Sequence, residues 1–167
     1  VLVDLESTDN EWRRVSERLP VLSLNARQES DLELIANGAF SPLTGFMCEA
    51  DYVSVRDRGR LSNGLVWTIP ITLSATAEAC AGLEPGQPVA LRSRDGRLVA
   101  ILHLEEIFTH DKEREAEQVY LTTEDRHPGV RYLNSQGEFL LGGGITLIEH
   151  PQSIDFASYR STPRRLR

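Results

Sequence analysis

A chain of 167 residues with 40% hydrophobic content can carry one core of its own, since a compact fold of this size buries about 70% of its unfolded surface. Eighteen basic against twenty-five acidic residues leave a net charge of −7, which opposes a phosphate backbone and sets nucleic acid aside as a default partner. No charged-then-apolar leader opens the sequence and no run of about 18 apolar residues could span a bilayer, so a cytoplasmic, reducing setting is the expectation.

The first predicted element is a helix that Asn25 caps, with Gln28 at the third helical position able to reach back to the Asn25 backbone. Its apolar positions Leu32, Ile35 and Ala36 recur at spacings of three and four and form one buried stripe. Asn37 and Gly38 end it, because Gly38 can take the positive φ that a helix terminus needs. Pro42 then keeps Ser41 out of the α region, so Phe40 and Leu43 sit on a stiff segment, and Gly45 permits another change of direction before Phe46. Val66 to Leu73 reads as a strand, with Pro70 assigning it to an edge, a bulge or a barrel corner. Leu83 to Gln87 is a turn. Pro88 to Ser93 leads through Asp95-Gly96, a two-residue hairpin signal, into the run Leu98 to Leu104, which is apolar on both faces, as a central strand or one that twists between two layers would be. His110 to Val119 reads as a helix with a solvated face, Val119 and Tyr120 turning inward at its end. His127-Pro128-Gly129 and Asn134 to Gly137 are turns, and Glu138 to Ile148 is a strand broken by Gly142, Gly143 and Gly144. Short strands, turns and a few short helices predict an α+β fold, mainly β, on a curled or barrel-like sheet.

Few residues invite a chemical role. Cys48 and Cys80 are the only cysteines; without CxxC spacing or a neighbouring histidine they read as free thiols, and no metal site is expected. Lys112 is the only lysine, so the positive charge is almost all guanidinium. The glycines at 142–144 lack the lysine and hydroxyl of a phosphate loop and point to a bulge or close backbone contact instead. His127 and Arg131, with Arg126 beside them, either attract an anion or pin their turn by hydrogen bonds to nearby backbone or carboxylates. Ser16, Ser41 and Asp31 supply no nucleophile arrangement, which requires a histidine and an orienting acid in defined geometry.

Several segments, in order, resemble the ATP sulfurylase (sulfate adenylyltransferase) family. LNARQESDLELIANGAFSPLTGFMCEADYVSV, from Leu24 to Val55, is similar to the family's helix, "GFSPLTGF" turn and following Asp-Tyr helix, with Cys48 at a position where the family commonly has a capping residue. WTIPITL, Trp67 to Leu73, resembles its "WPIPITL", Thr68 replacing proline. Asp111 to Leu133 resembles the charged helix, "VYGT" and "HPGV" segments, with Leu121 where the family usually has glycine. RSTPRRLR, Arg160 to Arg167, is similar to the "TPxxLR" segment leading toward the catalytic domain.

The resemblance implies a PUA-like amino-terminal domain over residues 1–157 and the start of a linker over 158–167, toward a catalytic domain absent from this chain. The family joins ATP and sulfate into adenosine 5′-phosphosulfate and pyrophosphate, using a Gln-x-x-Asn and a His-x-x-His segment. Neither occurs here: the four histidines, His103, His110, His127 and His150, are never three apart. No catalytic, cofactor-binding or metal residue is therefore carried over. ATP and magnesium belong, by resemblance, to a parent enzyme, alone or fused to an adenylylsulfate kinase. The expected partners are the domain following Arg167, with Phe40, Leu43 and Phe46 as interdomain contacts, and further copies in a homo-oligomer. A stand-alone PUA-like module binding RNA is the competing reading, and a regulatory sulfurylase with decayed motifs is a third.

Overall fold

The computed structural model describes Trp12, residues 14–149 and Pro163; the segment expected to begin a linker falls, Pro163 apart, outside the described residues. Helix α1 (Ala26–Ala36) starts where its capping chemistry puts it. The Asn25 side chain accepts from the backbone N–H groups of Arg27 and Gln28 at 2.9 and 3.0 Å, and Gln28 Oε1 accepts from Asn25 N at 2.9 Å. Leu32 and Ile35 are buried, and the helix stops at Asn37, beyond which Gly38 takes φ +81°.

The strands are β1 (Val21–Ser23), β2 (Gly45–Phe46), β3 (Leu73–Ala75), β4 (Pro88–Arg92), β5 (Leu98–Thr109) and β6 (Phe139–Leu147). They form one mixed sheet in the order β1-β4-β5-β6-β2, with β3 paired to β6. With only a few short helices beside it, this is an α+β fold, mainly β, as the strand-and-turn pattern predicts. The chain divides into two compact units: Val1–Gly45, Gly86–Leu104 and Gly144–Arg167 make one, Phe46–Pro85 and Glu105–Gly143 the other.

In the first unit β1 runs parallel to β4, Leu22 opposite Leu91, and β4 runs antiparallel to β5, Val89 opposite Leu102. The Asp95-Gly96 hairpin joins these two strands, with Ser93 N donating to Arg97 O at 2.9 Å and Gly96 at φ +83°. Leu98 to Leu102 are buried at five successive positions, as a strand covered on both faces requires. Ala90, Leu98, Ile101 and Ile148 form a core against which half-buried Trp12 and Leu19 pack. Each fully buried aliphatic chain here contributes about 1.5–3 kcal/mol.

In the second unit β3 pairs antiparallel with β6, Leu73 opposite Leu141. Its helices are α2 (Glu49–Arg58), α3 (Ala77–Cys80), α4 (Lys112–Glu115), which passes directly into a π-helical turn (Ala116–Tyr120), and α5 (Pro128–Ser135). Three local expectations change here. The predicted strand Val66 to Leu73 is strand only from Leu73 onward: Trp67 N bonds Gly59 O at 2.9 Å and Val66 bridges Arg60, so the backbone of this segment is satisfied locally, and Pro70 has no N–H to give a ladder. His127-Pro128-Gly129 is the start of α5, not a bare turn, with Pro128 in the first turn, where its missing N–H costs nothing. β6 runs unbroken through Gly142, Gly143 and Gly144. There the close approach expected of the glycines is found: a Cβ on Gly142 would lie 2.7 Å from Cys48 Cα and 2.8 Å from Met47 O.

Candidate functional site

The three aromatic and aliphatic residues expected to face another domain are divided between the units. Phe40 and Leu43, in the first, are half-buried on the turn after α1, which is closed by Phe40 N donating to Leu34 O at 3.0 Å and Leu43 N to Phe40 O at 2.8 Å. The Ser41-Pro42 peptide in that turn is cis. Phe46, in the second, is only 2% exposed and belongs to the core of this chain. Its side chain is spent on internal packing.

His127 and Arg131 both stand at the start of α5, exposed. His127 Nδ1 accepts from Gly129 N at 3.2 Å and so caps the helix, while Arg131 Nε donates to Asp125 O at 3.2 Å. Asn134 reaches the Asp125 carboxylate at 3.3 Å. The Tyr120 ring packs on His127 with centroids 5.2 Å apart, and Gly129 is small because a Cβ there would come within 2.5 Å of that same tyrosine. The two residues thus bond nearby backbone.

The second unit also holds a buried polar cluster that the residue pattern did not single out. Tyr52 of α2, 1% exposed, donates its hydroxyl to Glu115 Oε2 at 2.8 Å. Glu115 is 5% exposed and lies 3.7 Å from Nδ1 of His110, whose side chain is fully buried. His110 Nε2 is 2.9 Å from Gly137 O, whereas its Nδ1 has no hydrogen-bond partner. Burial, and then the Glu115 carboxyl, raise the Tyr52 phenol well above its ordinary range. Arg56 lies over the Tyr52 ring, 5.5 Å from its centroid, and is held by Asp57 at 2.7 Å; Asp57 also receives Arg114 at 3.0 Å. Asp57 is held below the usual carboxylate range by the Arg56 hydrogen bond first. The phenol, carboxyl and imidazole tie α2, α4 and the loop before β6 together.

Cys48 precedes α2 and gives it no side-chain cap, as its departure from a capping residue predicts. The role falls to Glu106 of β5, whose carboxylate accepts from Glu49 N at 2.8 Å. Burial, with Glu106 and Glu105 nearby, pushes the Cys48 thiol up to about 12, so it stays a thiol at neutral pH.

These geometries do structural work. Phosphoryl or nucleotidyl transfer needs convergent cationic donors, commonly with a metal, to hold developing charge. Among the described residues, Arg56 and Arg114 are joined to Asp57, Arg94 to Glu29, and Arg97 to Asp95 and Glu149. No group of three or more metal-ligating side chains occurs among them. His103 bonds Thr146 at 2.8 Å, His110 is buried and His127 is a cap; His150 is outside the described residues. No described helix is long and apolar enough to cross a membrane.

Comparison with known proteins gives this arrangement a context. The PUA-like domain family matches residues 1–150. A sulfate adenylyltransferase of Synechococcus sp. (strain JA-3-3Ab) is 48% identical over 157 residues, which are 94% of this chain and 40% of the relative. A probable bifunctional SAT/APS kinase 2 of Sorangium cellulosum (strain So ce56) is 48% identical over 149 residues, 89% of this chain and 26% of the relative. The solved structure of a hexameric APS kinase from Thiobacillus denitrificans superposes with a TM-score of 0.73 at 30% identity, over 99% of this chain and 29% of that one. The chain spans two-fifths or less of the length of these relatives. It belongs to the PUA-like domain family, and it is similar over most of its length to a sulfate adenylyltransferase and to a probable bifunctional SAT/APS kinase.

Proposed function

We propose that this chain is the non-catalytic amino-terminal domain of a sulfate adenylyltransferase, acting in the cytoplasm, whose reacting groups lie in the rest of a longer polypeptide. The observation that carries the reading is 48% identity across 94% of this chain with a protein of which it forms only 40%, while the chain itself has neither Gln-x-x-Asn nor His-x-x-His. The parent enzyme would join ATP, as its magnesium complex, and sulfate, releasing pyrophosphate. Similarity to a bifunctional SAT/APS kinase and to a hexameric APS kinase supports a parent that also carries a kinase domain and that assembles from several copies. The domain's part is to shape and dock the catalytic domain, with half-buried Phe40 and Leu43 offering apolar surface and residues 158–167 leading onward. His127 and Arg131 are more useful as pins of their own corner than as an anion site, because both are already bonded there. RNA binding gains nothing from arginines joined to carboxylates.

Two measurements test the reading. Titration of the 167-residue chain with MgATP and with sulfate is expected to give no micromolar binding, whereas the protein made from the whole reading frame is expected to release pyrophosphate from ATP only when sulfate is present. Micromolar ATP affinity of the short chain, or a full-length protein lacking sulfate-dependent turnover, would refute it.

A further inference from the structure

Three of the large apolar side chains most exposed among the described residues fall within five positions: Leu65 at 52%, Val66 at 64% and Ile69 at 43%. Single exposed apolar residues are ordinary; three together on one rigid segment are not. The segment is fixed from both sides. Arg60 and Val66 form an antiparallel bridge, Leu61 N donates to Leu65 O at 2.8 Å, and Gly64 N donates to Leu61 O at 2.8 Å. Arg60 donates to Gly64 O at 3.0 Å and Ser62 N to the Asp51 carboxylate at 2.8 Å, while the Trp67 indole N–H donates to Ile69 O at 2.9 Å. Buried Leu61 and half-buried Trp67 anchor the ribbon to its own unit. A partner docking on it would meet a surface already ordered, and would lose little conformational entropy there.

Resting on the functional reading above, we infer that the ribbon Leu65–Ile69 is the apolar centre of the surface on which the remainder of the same polypeptide docks. The occupant is argued from length and charge. The Synechococcus relative carries three-fifths of its chain outside the matched region, and the Sorangium relative about three-quarters, so covalently attached protein of ample size is available at high effective concentration. A second copy of this chain is a poorer occupant: each copy carries −7, and a two-fold contact would set exposed Arg58 and Arg60, which flank the ribbon, against their own counterparts. Those arginines call for an occupant with an apolar centre and carboxylates at its rim.

The test is thiol labelling at Val66→Cys in the full-length protein and in the 167-residue chain, with peptide mapping to separate the new site from Cys48 and Cys80. A maleimide is expected to label residue 66 at least tenfold more slowly in the full-length protein. Adding Leu65→Ser and Ile69→Ser is expected to restore fast labelling there while leaving the melting temperature of the short chain within about 2 °C of its parent. Equal labelling rates in the two proteins overturn the inference. So does slow labelling in a short chain that sediments as a dimer, which would make a second copy the occupant. Sulfate-dependent pyrophosphate release is read separately: a full-length protein that shields residue 66 but lacks this activity retains the docking surface and loses the functional reading.

Discussion

Leu121 holds φ +56° and ψ +22° at the end of the π-helical turn, the only non-glycine positive φ among the described residues, and is 85% exposed. For a residue with a Cβ this left-handed conformation costs about 1–2 kcal/mol. Replacing it with glycine removes that strain but adds roughly 0.5–1 kcal/mol of unfolded-chain freedom. Because so little of the side chain is covered, its loss costs only a few tenths of a kcal/mol. Leu121→Gly is therefore expected to gain about 0.5 kcal/mol, which for a chain of this size is about 1–2 °C in melting temperature. Leu121→Ala keeps the Cβ and the strain while losing the same small contact, so it is the proper comparator and is expected to fall slightly below the parent. Urea unfolding followed by fluorescence, with equal m-values, measures both. If glycine proves no more stable than alanine, the left-handed conformation is not a source of strain at this position and the reasoning fails.

The remaining predictions probe burial. Asp31 is pushed up to about 6 by burial, which outweighs the lowering by Arg27. A raised carboxyl favours the fold below its unfolded value of 3.8, and that contribution is lost as pH rises through 6; at about 1.4 kcal/mol per unit the ceiling is about 3 kcal/mol, and 1–2 is the expectation. Asp31→Asn should thus stabilise the chain at pH 7 but not at pH 4, and a gain that is the same at both would refute the assignment. Tyr52→Phe leaves the buried Glu115 carboxyl without its phenol donor and is expected to cost about 2–3 kcal/mol in urea unfolding, against under 0.5 for exposed Tyr-to-Phe changes elsewhere. Phe46→Ala should cost about 3–5 kcal/mol in this chain alone, while Phe40→Ala and Leu43→Ala, half-buried, should each cost under about 1.5; equal losses would remove the distinction between core and docking positions.

What was legible in the sequence was local chemistry with one dominant solution. Asn25 with Gln28, Gly38 after Asn37, and Asp95-Gly96 each specify a cap or a turn through bonds made within a few residues, and all are found. Elsewhere the residue pattern misled. The β-branched run from Val66 looks like a strand because its residue types suit one, but Gly59 and Arg60 capture its backbone first. The three glycines look like a break because glycine is a poor strand former, yet Cys48 and Met47 approach so closely that a side chain at Gly142 would not fit. The cap of α2 shows the same dependence: the residue before it cannot cap, and a carboxylate 57 positions away supplies the bond.

The buried acid had a signal that was outweighed. Glu115, Ala116, Val119 and Tyr120 fall at spacings that place them on one helical face, and the two apolar residues that end the series point that face inward. Charge density in Lys112 to Glu117 hides this, since a run of acids and bases is usually solvated. Glu115 can be buried only because Tyr52, 63 positions earlier, brings a donor to it, and a single sequence does not say that the two meet. The same logic bears on function. Within the described residues the recognisable segments serve the chain's own caps, turns and core, while Leu65, Val66 and Ile69 are left exposed, apolar and unreactive. Side chains of that kind can bind a protein surface but cannot polarise a phosphorus centre.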